Sequence, residues 1–421
     1  MTIGNDYLPG IITDVESIST VSTSGLSDTN IAIVGDGSVA EGDATPNEPY
    51  TITRPTVVTR LFGTDTPLSD AVNDAMVEGA NPVYAVMADE EDEIENITST
   101  VGHIDEAPAV EDPDRFTFTV DNTELDVVSV LDDPADHTPE SDEAIVNAVT
   151  GKYHVPATTS AEVEYVSVDY EGALETLQVE EADVIDVVGV LAENEDVAEM
   201  VEDTVNEMES YHQFALGVVG AGTSITAASY SNPYDNSRMQ LLYPTRNEDG
   251  ESIMGSIVGV RGRLGITGSI MNKRIRRHSR LSYRLDEGEM IDLVAAKVTP
   301  ISSETNGALV IEDMTAITDG NEDEAEMATG FARLVIDRVT ETVKRTEEPF
   351  IGKLNNAATR GSLQSLIDSQ LDFLLDQNAI LSYEVDVRKR DADSAYVDVA
   401  VETVAPLRNI YNTVAAGRIQ G

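Results

Sequence analysis

Gly35-Asp36-Gly37-Ser38-Val39-Ala40 follows the apolar run Ile31 to Val34, the setting in which glycines let a backbone approach a pyrophosphate at a helix N-terminus. The next residues, Glu41-Gly42-Asp43-Ala44-Thr45-Pro46, read as a loop, and no acidic residue falls near the ribose-binding position about 20 residues on. The stretch therefore predicts a surface turn. Gly217, Gly220 and Gly222 are wrongly spaced for a phosphate loop and predict a turn at a strand end. Five histidines, His103, His137, His154, His212 and His278, include no pair at the i, i+4 spacing that sets two imidazoles over one zinc. With no cysteine, disulfides and thiolate metal sites are impossible. The acidic clusters 89–95 and 322–326 lack the spaced ligands and central glycine of an EF-hand, and read as solvated surface. There is no Gly-x-Ser-x-Gly elbow and no Walker loop. A Ser-His-Asp triad is a spatial arrangement, and no feature of the sequence points to one. The expectation is a protein with no catalytic, cofactor or metal site.

One segment stands apart. Lys273-Arg274-Ile275-Arg276-Arg277-His278-Ser279-Arg280-Leu281-Ser282-Tyr283-Arg284 holds six of the 26 basic residues in twelve positions, with no acid among them. Two explanations stay open: the strip offsets carboxylates of the same fold, or it docks on an acidic partner, where charge complementarity would fix register and orientation.

The 421 residues carry 26 Lys plus Arg against 78 Asp plus Glu, a formal charge of -52. Such a chain repels phosphate, which excludes ordinary nucleic-acid binding. With 41% hydrophobic residues it can bury a substantial core, and its length suggests two or three domains. The apolar runs fall well short of the roughly 20 residues that cross a bilayer, and Met1 to Gly10 has no signal-peptide pattern, so neither membrane insertion nor Sec-type export is expected. A threefold acidic excess suits folding in molar salt, where the Debye length is roughly 3 Å; the expected source is a halophile or its virus.

The charge is unevenly spread. Residues 1–250 hold 6 basic and 52 acidic groups, whereas 251–421 hold 20 and 26. Residues 89–180 contain 26 acids and only Arg115 and Lys152, and alternating runs such as Arg115 to Val120 and Val163 to Val168 predict short antiparallel strands. This segment reads as an acidic, surface-exposed β-rich insertion. Flanking it are α/β elements: a helix opened by Thr66 and Pro67 and closed by Gly79, strands at Val83 to Met87, Val184 to Leu191 and Phe214 to Val219, and a helix from Glu195 to Ser210. Further on, helices are expected over Glu324 to Arg345 and Ser362 to Asp376. The latter would bury Leu363, Leu366, Ile367, Leu371, Leu374 and Leu375, with Asp368, Asp372 and Asp376 wet. Strands follow at Leu381 to Val387 and Tyr396 to Val404, joined by a polar turn. The expected organisation is an N-terminal arm (1–24), a discontinuous α/β (α+β) core domain (25–88 and 181–405), the insertion (89–180) and a C-terminal arm (406–421).

This arrangement resembles a contractile tail sheath protein of tailed viruses and related injection particles. Leu8-Pro9-Gly10-Ile11-Ile12-Thr13-Asp14-Val15 is similar to the Pro-Gly-Val-Tyr opening of many sheath proteins. Thr53-Arg54-Pro55 through Arg60-Leu61-Phe62-Gly63, a helix, then Gly79-Ala80-Asn81-Pro82-Val83-Tyr84-Ala85-Val86 resembles their next conserved stretch. The close, with Val404-Ala405-Pro406-Leu407-Arg408-Asn409-Ile410-Tyr411 after two strands, and the position of the insertion are similar too. The resemblance covers about 85 residues at the start and about 90 at the end. It implies a structural subunit, not an enzyme, that stacks as hexameric rings around an inner tube and contracts by rigid-body rearrangement. Implied partners are copies of itself, a tail tube protein, and baseplate and tail terminator proteins; the implied place is the virion, after assembly in the host cytoplasm. The arms then become strand donors to neighbouring copies, through Leu8, Ile11 and Ile12 at one end and Leu407, Ile410, Tyr411 and Val414 at the other. The basic strip, Lys273, Arg274, Arg276, Arg277 and Arg280, would face the tube. The sheath of an extracellular injection particle is the near alternative, and a halophilic α/β hydrolase the rival of a different class.

Overall fold

A computed structural model describes residues 29–37, 41–104, 113–157, 161–180, 184–278, 280–318 and 325–406. The chain enters with β1 (Ile31–Gly35), then β2 (Pro49–Ile52), α1 (Val58–Phe62), α2 (Pro67–Glu78) and β3 (Val83–Met87). Helix α2 starts and stops as its sequence dictates. The Thr66 hydroxyl accepts from Ser69 N at 3.3 Å, Ser69 Oγ accepts from Thr66 N at 3.2 Å, Pro67 fills the first position, and Gly79 takes φ +108.

Residues 89–169 then build a small module of two four-stranded sheets. Its strands are β4 (Asp89–Ile97), β5 (Val101–His103), β6 (Thr117–Val120), β7 (Thr123–Glu124), β8 (Asp126–Ser129), β9 (Glu143–Asn147), β10 (Lys152–His154) and β11 (Ala161–Asp169). The sheet orders are β5-β10-β9-β8 and β4-β11-β6-β7. Phe118, Val146, Tyr153, Val163 and Tyr165 fill a core of its own. The antiparallel expectation holds for every pair but one: β8 runs parallel to β9. Asp121 and Asn122, both at positive φ, make the two-residue turn between β6 and β7.

Residues 170–180, placed in the insertion from sequence, form α3 (Tyr170–Glu180), which packs Tyr170, Ala173, Leu174 and Leu177 against the main sheet. Asp169 starts it by accepting from Gly172 N at 2.8 Å. There follow β12 (Val187–Val190), α4 (Glu195–Ser210), β13 (Leu216–Gly220), β14 (Met239–Tyr243), α5 (Met254–Leu264), α6 (Glu287–Ala295), β15 (Val298–Ser302) and β16 (Leu309–Val310). The main sheet has the order β16-β15-β14-β13-β12-β1-β3-β2, parallel throughout except at its two edge strands. Buried on both faces, its inner strands are nearly continuous apolar runs. Ile31 and Ile33 point into the core shared with α2, α5 and the later helices, and Ala32 and Val34 into the one shared with α3 and α4. Helix α5 lies unusually close to α2: a Cβ on Gly255 would sit 2.1 Å from Ala71 O, and one on Gly259 2.5 Å from Ala75 Cα.

The chain closes with α7 (Gly330–Glu347), α8 (Ala357–Asp376), β17 (Ile380–Lys389) and β18 (Ala395–Thr403). Sequence placed the α7 start at Glu324; it comes at Gly330, where Thr329 Oγ1 accepts from Ala332 N at 3.2 Å. The α8 start comes earlier than expected, because Asn356 caps it. Leu366 is also corrected: it is 41% exposed, while Leu363, Ile367, Leu371 and Leu374 are buried. Ion pairs of buried arginines tie these layers together. Arg261 meets Asp313 at 2.6 Å, and Arg238 meets Asp337 of α7 at 3.0 Å and Glu209 at 2.7 Å. Among the described residues no helix is long and apolar enough to cross a membrane.

Candidate assembly surfaces

Strands β17 and β18 form a two-stranded antiparallel sheet by themselves. A lone hairpin is marginally stable in water and needs a further strand or a helix against it. Here α8 covers one face, through Val385 and Val387 of β17 and the half-buried Val397, Val399 and Val401 of β18. Tyr383 clips hairpin to helix: its hydroxyl donates to Asp372 Oδ1 at 2.6 Å and Asp368 O at 3.0 Å. The hydrogen bond to Asp372, with burial second, pushes the phenol up to about 12. On the outer face Asp386 stands opposite Asp398, a like-charge pair that would splay the strands. Arg388 bridges both carboxylates. The joining turn is held by Asp391, which accepts from Ser394 Oγ and from backbone N–H groups, bonds that lower its pKa. The outer edge of each strand has no partner among the described residues. Two strands were expected here from sequence; that they stand apart from every other described strand was not.

The basic strip is brought together over buried acids. Glu78 is 0% exposed and Asp74 3% exposed, both on α2. Arg276 reaches Glu78 with Nε at 3.8 Å and with its backbone N–H, and Arg277 and His278 both bond to Asp74. Arg274 lies 4.0 Å from Glu304, and Arg280 3.1 Å from Glu248. Lys273 serves through its backbone, accepting from Val310 N at 2.9 Å. All four arginines are exposed and have an acid of the same fold within reach; those of Arg276 and Arg277 are buried, whereas those of Arg274 and Arg280 lie at the surface.

Asp74, His278 and Ser256 do converge, the three residue types of a hydrolytic triad. The order is wrong for catalysis: Ser256 Oγ donates to Asp74 Oδ2 at 3.2 Å, and His278 Nε2 bonds to that same oxygen. The acid sits between nucleophile and base, and Ser256 is fully buried. The other histidines are scattered, His137 on Asp132 and His154 on Pro134 O. Among the described residues no three His, Asp or Glu side chains gather as metal ligands. The Gly35 stretch is not a surface turn where it is described. Asp36 is 2% exposed and 3.8 Å from Arg115, and a Cβ on Gly37 would lie 2.6 Å from Met87 Sδ. Gly217 lies within β13, where Val201 leaves no room for a side chain; Gly220 and Gly222 do mark the strand end. The arm residues Leu8, Ile11, Ile12, Leu407, Ile410, Tyr411 and Val414 lie outside the described residues.

No protein-family model matches the sequence, and no curated protein matches it. Solved structures do. The chain is similar to the helical sheath of the anti-feeding prophage in its contracted state, with 14% identity, 99% of each chain covered and a TM-score of 0.60. It is similar to the sheath of an extracellular contractile injection system, PVC, also contracted, with 13% identity, 98% of each chain covered and a TM-score of 0.62. A sheath tail protein from Desulfitobacterium hafniense matches at 12% identity, over 92% of this chain and 99% of that one, with a TM-score of 0.58. With nearly the whole of each chain covered, this chain has the fold of contractile sheath proteins.

Proposed function

We propose that this protein is the repeating subunit of a contractile sheath, stacked as hexameric rings around an inner tube and rearranging as rigid bodies to drive the tube through a cell envelope. The observation that carries the reading is the β17–β18 hairpin. In a chain with this fold, two long strands with both edges open are ready acceptors for strands from neighbouring copies. Residues 1–24 and 406–421 are the donors, through Leu8, Ile11 and Ile12 and through Leu407, Ile410, Tyr411 and Val414. Backbone pairing of this kind keeps subunits tethered while their bodies turn.

The acidic module at 89–169 faces solvent, and the basic strip, Lys273, Arg274, Arg276, Arg277 and Arg280, faces an acidic tube. Baseplate and terminator proteins cap the two ends of the polymer, and the particle is a virion assembled in the host cytoplasm. A subunit of charge -52 packs against its copies more readily where salt screens it, which supports a halophilic setting. Electron microscopy of the purified protein in concentrated salt tests the reading: tubes or stacked discs are expected, and isolated monomers would overturn it. Light scattering on desalting should show dissociation. Charge reversal at Arg274 and Arg280 should weaken assembly on tubes and leave the tube-free polymer intact.

A further inference from the structure

A cleft of about 440 Å³ opens between the 89–169 module and the main sheet, beyond the carboxyl ends of β12 and β13. Open α/β sheets take ligands in crevices of this kind. Its floor is the loop 220–224 after β13, where Gly220 excludes a side chain because a Cβ would lie 2.5 Å from Glu193 Cγ. One wall is the start of α4, with Asn194, Glu195 and Asp196; the other is Asp132, Asp133 and Lys152 of the module. Asn147 spans the gap, its Nδ2 donating to Thr223 Oγ1 at 3.0 Å and to Asp132 O at 3.2 Å.

Asn194 decides what the cleft accepts. The residue is 4% exposed, and its Oδ1 accepts from Asp196 N at 2.7 Å, capping α4 and fixing the amide. Its Nδ2 is buried, has no hydrogen-bond partner among the described residues, and belongs to a residue lining the cleft. Buried donors are nearly always satisfied, so this atom calls for an acceptor. An anion would meet five lining carboxylates, those of Asp132, Asp133, Glu193, Glu195 and Asp196. A bare cation would meet the positive end of the Asn194 amide, and three of those carboxylates are engaged: Asp132 with His137 at 2.8 Å, Asp133 with Lys152 at 3.5 Å, and Glu193 with Arg246 at 3.1 Å. Beside the buried Asn194 donor stand two exposed acceptors, Glu195 and Asp196, and the hydroxyls of Ser224, Tyr230 and Ser231, which can serve as either. A hydroxyl group both donates and accepts, so a row of hydroxyls matches this set and neither ion does. We propose that the cleft binds a neutral polyhydroxylated ligand, a sugar, with one hydroxyl accepting from Asn194 Nδ2 and its neighbours donating to the Glu195 and Asp196 carboxylates.

The test is saturation-transfer NMR on the full-length chain with the methyl glycosides of glucose, galactose and mannose, and with spermidine as the cationic probe. Asn194→Asp keeps the helix cap, removes the donor and adds a negative charge. It should weaken sugar binding by about tenfold or more and tighten spermidine, so a sugar and a cation respond with opposite signs. Ser224→Trp, which fills the cleft from its floor, should abolish transfer to the sugar while circular dichroism stays that of the parent. Should Asn194→Asp unfold, the Trp variant alone decides. No transfer to any of the three glycosides, equal transfer in the parent and the folded variants, or binding of spermidine alone would overturn the proposal. None of these outcomes depends on whether the protein polymerises.

Discussion

Strand β4 runs along the edge of one small sheet and β18 along the edge of another, and the two differ in what they present to an approaching strand. In β4, Asp89, Glu90, Glu91, Asp92, Glu93 and Glu95 put six carboxylates on nine residues, with no base. A second β4 approaching edge to edge would align like charges across the ladder, a contact that costs free energy at every pair. The terminal hairpin mixes its charges: Glu384 and Asp386 with Arg388 and Lys389 on β17, facing only Asp398 and Glu402 on the valine-rich β18. Its inner face rests on α8, and its backbone edges have no partner among the described residues. The same element, an open antiparallel edge, is closed to partners in one region by charge density and left open in the other.

Deleting residues 1–24 attacks that difference at its strongest point. If the hairpin edges are filled by arms of neighbouring copies, the truncated chain keeps the circular dichroism of the parent and loses polymerisation altogether. Tubes of normal diameter from the truncated protein would break the link between hairpin and assembly. Asp337→Ala ranks next. This carboxylate anchors α7, the helix beneath α8 and the hairpin, by pairing with Arg238 and Arg333 in a buried site. Burial alone would raise its pKa, but the two guanidinium groups outweigh that and hold it below the usual carboxylate range. Removing it strands the buried Arg333 and leaves Arg238 with Glu209 alone, and a loss of about 3–5 kcal/mol is expected by chemical denaturation. Because the folded-state pKa is depressed, the stabilisation is present above the unfolded value and disappears as pH falls through the folded one. The gap between variant and parent should therefore narrow below about pH 4. Hydrogen exchange should show the hairpin losing protection before the module, whose core is separate. Loss of both together would mean that the two regions do not open independently.

How much of this was legible beforehand follows from which physical signals are local. Strands β1, β3, β12 and β13 could be read because they are short apolar runs between turn residues, and α4 because Val197, Val201, Val205 and Met208 recur with helical period. Helix α5 was missed for a physical reason: Met254–Leu264 contains Gly255, Gly259 and Gly262, which lower helix propensity, and its need for glycine comes from the backbone of α2, nearly two hundred residues away. Helix α3 was legible in the spacing of Tyr170, Ala173, Leu174 and Leu177, but the surrounding acidity hid it. The basic strip was visible as a cluster; its acids, Asp74 and Glu78, were not, because the pairing is set by the docking of 273–280 on α2. The unpartnered amide of Asn194 had no sequence signal beyond that of an ordinary helix cap.

Neutralising the β4 edge tests the guarded half of the comparison. Replacing Glu91, Glu93 and Glu95 with Thr removes three of its six charges and raises strand propensity. The expected result is concentration-dependent association of the variant that persists after desalting, seen by light scattering, with the circular dichroism of the parent. A variant as monodisperse as the parent at low salt would mean that something other than charge closes this edge.

The smallest effect belongs to the charge arrangement within the hairpin. Arg388 is 55% exposed, so its ion pairs are screened and worth little individually. Its geometric role is specific, since it sits between Asp386 and Asp398, which face each other across the ladder, and its guanidinium lies 5.1 Å from the Tyr396 ring. Arg388→Ala should therefore destabilise the hairpin by about 0.2–1 kcal/mol, and less as salt rises. Adding Asp398→Asn to that variant removes the repulsion left behind and should restore most of the loss, whereas Asp398→Asn in the parent should have almost no effect. Hydrogen exchange at the β17–β18 amides reads all three. Equal losses in the single and double variants would show that Arg388 acts through its contact with Tyr396, and that the paired aspartates tolerate each other unaided.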